Sequence, residues 1–332
     1  MFKRIAFLLV CLAFLGCGDD DAPANGRLDN FNAFWETIDR EYSYFEQKGV
    51  DWDAVRAEFE PQVNETLTNR QLFDIFSEMV LTLRDGHTGL ITSFGRTGFS
   101  LDRGTVDNSA VDLNRYVINK TTATSRLTVG EIASQNLLYI GVHSLSGGID
   151  DAQNDALYNS VNRFEDYEGV IIDLRNNGGG NDGIARRFIQ GFVDQNRDFR
   201  KFRFRQPQSR NSFNDWQTDE LVPQNSISYT RPIVVLINRS VVSSAEGMTL
   251  MLNALPNVTL MGDRTTGSTG NPGVFELPNG WELYVSRWQV TDLEGNYVED
   301  QGIQPDIAVS ISEADRAAGI DSILEAAIRQ FD

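Results

Sequence analysis

The chain is short of histidine, cysteine and positive charge. It has 332 residues but only two histidines, His87 and His143, and two cysteines, Cys11 and Cys17. Neither histidine has acidic residues at helical spacing beside it, so no zinc-type ligand set appears and no metal or other cofactor is expected. Lys and Arg number 29 against 47 Asp and Glu, a formal net charge of -18. That balance argues against nucleic acid or an anionic membrane surface as a partner. No basic patch interleaved with aromatics appears either. The one marked apolar run, Ile5 to Leu15, has eleven residues, too few to span a bilayer as a helix.

That run reads as targeting rather than structure. Lys3 and Arg4 precede it, and Leu15-Gly16-Cys17 ends it. The pattern resembles the lipobox of bacterial lipoproteins. The resemblance implies cleavage before Cys17, lipidation of Cys17, and a chain held at a membrane of the cell envelope by its lipid. Cys11 leaves with the signal, so Cys17 has no cysteine left to pair with. Residues 1–16 are then a signal peptide, and 17–28, with Asp19-Asp20-Asp21, a flexible tether.

From 29 to 92 the spacing predicts a helical subdomain. Phe31, Phe34, Trp35, Ile38, Tyr42 and Phe45 fall on one helix face, with Asp29 or Asn30 as N-cap. Thr68 and Gln71 form a capping box ahead of Leu72, Ile75, Phe76, Met79 and Val80. Residues 93–135 are polar and weakly periodic, and read as loops and edge strands. From 136 to 332, apolar strands such as 137–142, 169–174 and 233–237 alternate with helical stretches, which argues an α/β core.

Three segments carry chemistry: Asp85-Gly86-His87-Thr88, Asp173 to Gly180 with three successive glycines, and Ser243-Ser244-Ala245-Glu246. A serine hydrolase needs a base, an oxyanion site and a nucleophile, and these supply one of each. Each also has a plainer reading. Ser243 and Glu246 form a capping box, and capping competes with catalysis for the same hydroxyl. Gly178-Gly-Gly180-Asn-Asp-Gly183 fits the dinucleotide fingerprint, or a turn that presents backbone amides to a carbonyl. His87 lies in a polar corner, whereas His143 lies in an apparent strand and reads as structural.

Five motifs, in order, make residues 30–310 similar to the C-terminal-processing (tail-specific) serine peptidases, in their tricorn-core-like branch. They are the three segments above, Gly262-Asp-Arg-Thr-Thr-Gly267, and Glu299-Asp-Gln-Gly302-Ile-Gln-Pro305-Asp306. The resemblance implies a Clp-protease/crotonase-like spiral of ββα units with the N-terminal helical subdomain attached. It puts the nucleophile on Ser243, the general base on His87, the orienting carboxylate on Glu299, and the oxyanion amides on Gly179 and Ser244. Many members use a lysine 25 residues after the serine, where this chain has Ser268. Some carry a hydroxyl residue immediately before the histidine, where this chain has Gly86. The stretch from His87 to Leu137 is too short for the PDZ domain found in many members. The implied function is an endopeptidase acting on unfolded or flexible polypeptides outside the cytoplasm. The alternative is a non-catalytic binder of hydrophobic ligands, since fold alone does not fix activity.

Overall fold

A computed structural model describes residues 26–224 and 229–332, without the side chains of 122–124. The targeting segment and Cys17 lie outside the described residues. Among those described, no helix is long and apolar enough to cross a membrane.

The centre is a seven-stranded sheet. In spatial order its strands are Ile307–Ala308, Val258–Gly262, Ile233–Ile237, Gly169–Asp173, Leu137–Val142, Leu127–Ile132 and Val117–Thr124. The first five run parallel, and each of the last two is antiparallel to the strand before it. Leu137–Val142, Gly169–Asp173 and Ile233–Ile237 are buried along their whole length, because helices and loops cover both faces of the sheet. One core, with Phe164, Phe188 and Met248, fills one face. A smaller one, with Tyr139, Ile323 and Leu324, fills the other.

From the stretch 93–135, expected as loops and edge strands, the sheet takes in residues 117–132, with Val117–Thr124 as its edge strand. Val117–Thr124 pairs irregularly with Leu127–Ile132, and the register shifts erase the clean alternation that marks a strand. In a three-stranded sheet of Trp288–Thr291, Arg197–Phe204 and Gln217–Leu221, the first strand falls in the stretch from 286 that reads as part of a meander, whereas the other two, rich in arginine and acids, carry no clear sequence signal.

The first helix runs Arg27–Glu41 with Gly26 as its N-cap, three or four residues ahead of the expected cap at Asp29 or Asn30. The box at Thr68 forms as read, and helix Asn69–Thr82 follows. The helical region does not close on itself. Its core includes Leu277, Trp281, Leu283 and Val285 from far along the chain. Strand Gly89–Thr92 pairs with Glu282–Ser286, Gly89 opposite Tyr284. That pairing carries His87 from the helical region to the rim of the main sheet.

Candidate active site

Three neighbouring parallel strands, 169–173, 233–237 and 258–262, release the chain at one edge. The carboxyl ends of such strands are where α/β folds place their sites. From them emerge the glycine turn, the loop to Ser243, and the loop 263–271.

Ser243 closes a sharp turn before helix Ser244–Asn253, with φ 63° and ψ -129°. A non-glycine residue there is strained by on the order of 1–3 kcal/mol, and the surroundings must enforce it. They do so through the backbone. Ser243 N–H donates to Ser268 O at 3.0 Å and to Glu246 Oε2 at 3.1 Å. Glu246 is fully buried, and it also accepts from Gly267 N, Ser268 N and Thr265 Oγ1. Burial pushes Glu246 up to about 7, against those four donors. The carboxylate thus ties the nucleophile turn to loop 265–268, and Ser243 Oγ lies 3.1 Å from His87 Nε2. The capping box and the nucleophile use one geometry.

The glycine turn packs against the same corner. Gly179 has φ 87°, and a Cβ there would stand 2.7 Å from Val242 O and 2.8 Å from Ser243 Cβ. A Cβ on Gly180 would meet Leu145 O at 2.1 Å. Close packing of the turn against Val242, Ser243 and Leu145 accounts for these two glycines without a dinucleotide. Arg175 faces inward, bonded to Asp173 and to Asp321 at the start of the last long helix.

The amides need one correction. Gly179 N–H, expected to face the oxyanion, donates to Asn177 Oδ1 at 2.9 Å in a buried contact. Ser244 N–H makes no hydrogen bond among the described residues, and neither does Gly180 N–H. Ser244 and Gly180 line one cavity with Ser243, and Ser244 Oγ donates to Gly180 O at 2.9 Å.

His87 is held on both sides. Its N–H donates to Asp85 Oδ1 at 2.7 Å. Its Nδ1 lies 2.7 Å from Ser268 Oγ, so the position of the missing lysine supplies a hydroxyl to the base. Burial lowers the His87 pKa below its ordinary value, and the Asp85 carboxylate opposes that shift. Thr88 turns away, its Oγ1 accepting from Ser286 N at 3.1 Å. A Cβ on Gly86 would run into Leu101 at 2.8 Å, so a larger residue before His87 would displace that side chain.

Glu299 departs from the expected arrangement. It makes no hydrogen bond to His87. Its Oε2 accepts from Thr269 N at 2.9 Å, and Oε1 pairs with Lys48 Nζ at 3.2 Å. Lys48 and Glu299 side chains are both 1% exposed. Lys48 also reaches Asp300 Oδ1 at 2.6 Å and Arg84 O at 3.1 Å. Burial and then Asp85 push Glu299 up to about 8, against Lys48 and Thr269 N–H. Glu299 therefore touches the residue next to Ser268, one step removed from the base. Lys48, Ser268 and Thr269 were not singled out as site residues by sequence. Lys48 and Thr269 carry no spacing signal, Ser268 stands out only as the place of the missing lysine, and the pairing of distant segments assembles them. His143, at the exposed end of its strand, bonds Thr128 Oγ1 through Nε2 at 3.0 Å. No group of three or more possible metal ligands occurs among the described residues.

The chain belongs to peptidase family S41, a family of serine peptidases, whose description matches residues 136–309; residues 23–80 match the tricorn protease C1 domain. The carboxy-terminal processing protease CtpA of Bacillus subtilis is 23% identical over 227 residues, covering 67% of this chain and 44% of that protein. The chain spans about half the length of the curated relatives it matches, from 44% to 61%. A solved structure from Parabacteroides merdae, of a protein assigned as a peptidase, is 30% identical with a TM-score of 0.81, covering 92% of this chain and 97% of that one. Mature CPAF bound to lactacystin shares the fold at 12% identity, TM-score 0.71, with 92% and 98% covered.

Proposed function

We propose that the chain is a serine endopeptidase with Ser243 as nucleophile and His87 as general base and acid. The observation that carries this is the 3.1 Å contact of Ser243 Oγ with His87 Nε2 on a strained turn beside unpaired amides. Nε2 takes the Ser243 proton as Oγ attacks the peptide carbonyl. The resulting oxyanion sits at the positive end of helix Ser244–Asn253, where Ser244 N–H and Gly180 N–H donate to it. His87 then gives the proton to the leaving amine, and water repeats the sequence on the acyl-enzyme.

Asp85 supplies the negative charge nearest the imidazolium, and Ser268 Oγ accepts from Nδ1–H in the base-competent tautomer. Glu299 is a positioning residue. It holds the Thr269 backbone, and with it Ser268, against His87. The open recess at Ser243 suits an extended segment of an unfolded or flexible polypeptide. The cavity wall includes the charged Asp182 and Arg200, which does not suit a purely hydrophobic ligand. Attachment through lipid on Cys17, placing the enzyme outside the cytoplasm, rests on Leu15-Gly16-Cys17.

Labelling with a fluorophosphonate probe tests the catalytic reading. Ser243 should be the modified residue, and an unlabelled chain contradicts the proposal. Mass spectrometry of the mature N-terminus tests the anchor; an unmodified residue at another cleavage site contradicts it.

A further inference from the structure

We infer that the cavity beside Ser243 selects a substrate residue with an amide side chain, glutamine above all, at the carbonyl that Ser243 attacks. This rests on Ser243 being the nucleophile. The cavity has about 450 Å³ and is lined by Ser243, Gly247, Leu250, Trp288, Asp182 and Arg200, among others. Leu250 and Trp288 give it apolar walls.

The polar end is built around one buried arginine, with part-exposed partners. The Arg200 side chain is 7% exposed. Its Nε and Nη2 bond Asp219 Oδ2 at 3.0 and 2.8 Å, and Nη2 also meets Asp182 Oδ2 at 3.0 Å. Arg186 Nη2 takes the other oxygen of Asp219 at 2.7 Å. The guanidinium lies over Trp288, 4.8 Å from the ring centroid, which fixes its plane. Two arginines and two aspartates leave the network neutral.

Two atoms of this network remain unused among the described residues: Arg200 Nη1, a donor, and Asp182 Oδ1, an acceptor. They converge. A Cβ placed on Gly247 would lie 2.7 Å from Asp182 Oδ1 and 3.3 Å from Arg200 Nη1. Gly247 is one helical turn past Ser243, roughly 6 Å along the axis. A side chain entering from the scissile carbonyl therefore needs an apolar stem and a polar end. At that end a carboxylate would face Asp182 Oδ1, and an ammonium would face Arg200 Nη1. An amide satisfies both, its carbonyl accepting from Nη1 and its NH₂ donating to Oδ1. Leucine fills the stem and leaves both groups unpaired, which is how a polar pocket rejects an apolar competitor.

The test uses internally quenched peptides that differ only in the residue before the scissile bond: Gln, Glu, Lys or Leu. Mass spectrometry locates the cut. Gln should exceed each of the others in kcat/KM by about 10- to 100-fold, as two hydrogen bonds allow. Asp182→Asn should invert the Gln-to-Glu ratio, because its amide oxygen keeps the Arg200 bond and its NH₂ replaces the acceptor. Ratios do not depend on how much enzyme folds. A preference for Leu, Lys or Glu in the native protein, or a ratio unmoved by Asp182→Asn, overturns the assignment. Fluorophosphonate labelling separates the two readings: label on Ser243 without Gln preference sinks the pocket alone, and no label sinks both.

Discussion

The two halves of this site are built differently. Ser243 is set by backbone and by one buried carboxylate, within loops that leave adjacent strands of a single sheet. His87 is set by side chains and loops from segments spread over some 250 residues: Lys48, Asp85, Ser268, Thr269 and Glu299. The first half is local. The second depends on the helical region docking against the sheet. Changes on the Ser243 side should act through steric and backbone effects, and those on the His87 side through charge and position.

The largest effect should come from the nucleophile. Ser243→Ala should reduce turnover by about 10⁴- to 10⁶-fold while the fold survives, since even a lost cap costs only about 1 kcal/mol. Ser243→Gly should be equally inactive, yet more stable than Ser243→Ala by roughly 1 kcal/mol, because glycine tolerates φ 63°. Equal melting temperatures for the two variants would remove the strain from the account.

On the other side, Lys48→Met should destabilise by about 3–5 kcal/mol, as breaking one member of a buried ion pair does. Denaturant unfolding measures it, and a loss below about 1 kcal/mol would mean that Lys48 is dispensable to the cluster.

Glu299→Gln should have a modest effect. A carboxylate bonded directly to a catalytic histidine is worth about 10⁴-fold. Here Glu299 reaches His87 only through residues 268–269, and glutamine keeps an acceptor for Thr269 N–H while losing the charge that faces Lys48. The expected loss in kcat is within about tenfold, near that of Ser268→Ala, which forfeits one hydrogen bond. A drop of 10³ or more for Glu299→Gln alone would restore it as the direct partner of the base. The smallest effect belongs to the helical region: Thr68→Ala should cost about 1 kcal/mol and leave kcat/KM unchanged.

The same division decides what the sequence discloses. The Ser243 half is legible because its elements are contiguous: an apolar strand, a glycine turn, a serine three residues before a glutamate. The α/β alternation and the Thr68 box are legible for the same reason. The base half is not, because Ser268 and Lys48 gain meaning only when Gly89 pairs with Tyr284 and the helical core takes in Trp281. Gly179 misled because position in a motif does not tell which way an amide points; Asn177 had already taken it. Residues 117–132 read only loosely as loops and edge strands; 117–124 is indeed the edge strand, and its bulged pairing with 127–132 blurs the two-residue period.

The central claim is that His87 activates Ser243. The rate of fluorophosphonate labelling of Ser243 as a function of pH tests it most directly. Burial lowers the His87 pKa, so neutral imidazole persists to lower pH. The rate should rise with pH to a plateau, with its midpoint below the ordinary histidine value of about 6.5. His87→Ala should abolish that dependence and the labelling with it, whereas His143→Ala should change neither. Labelling that survives His87→Ala with its pH profile intact would contradict the account.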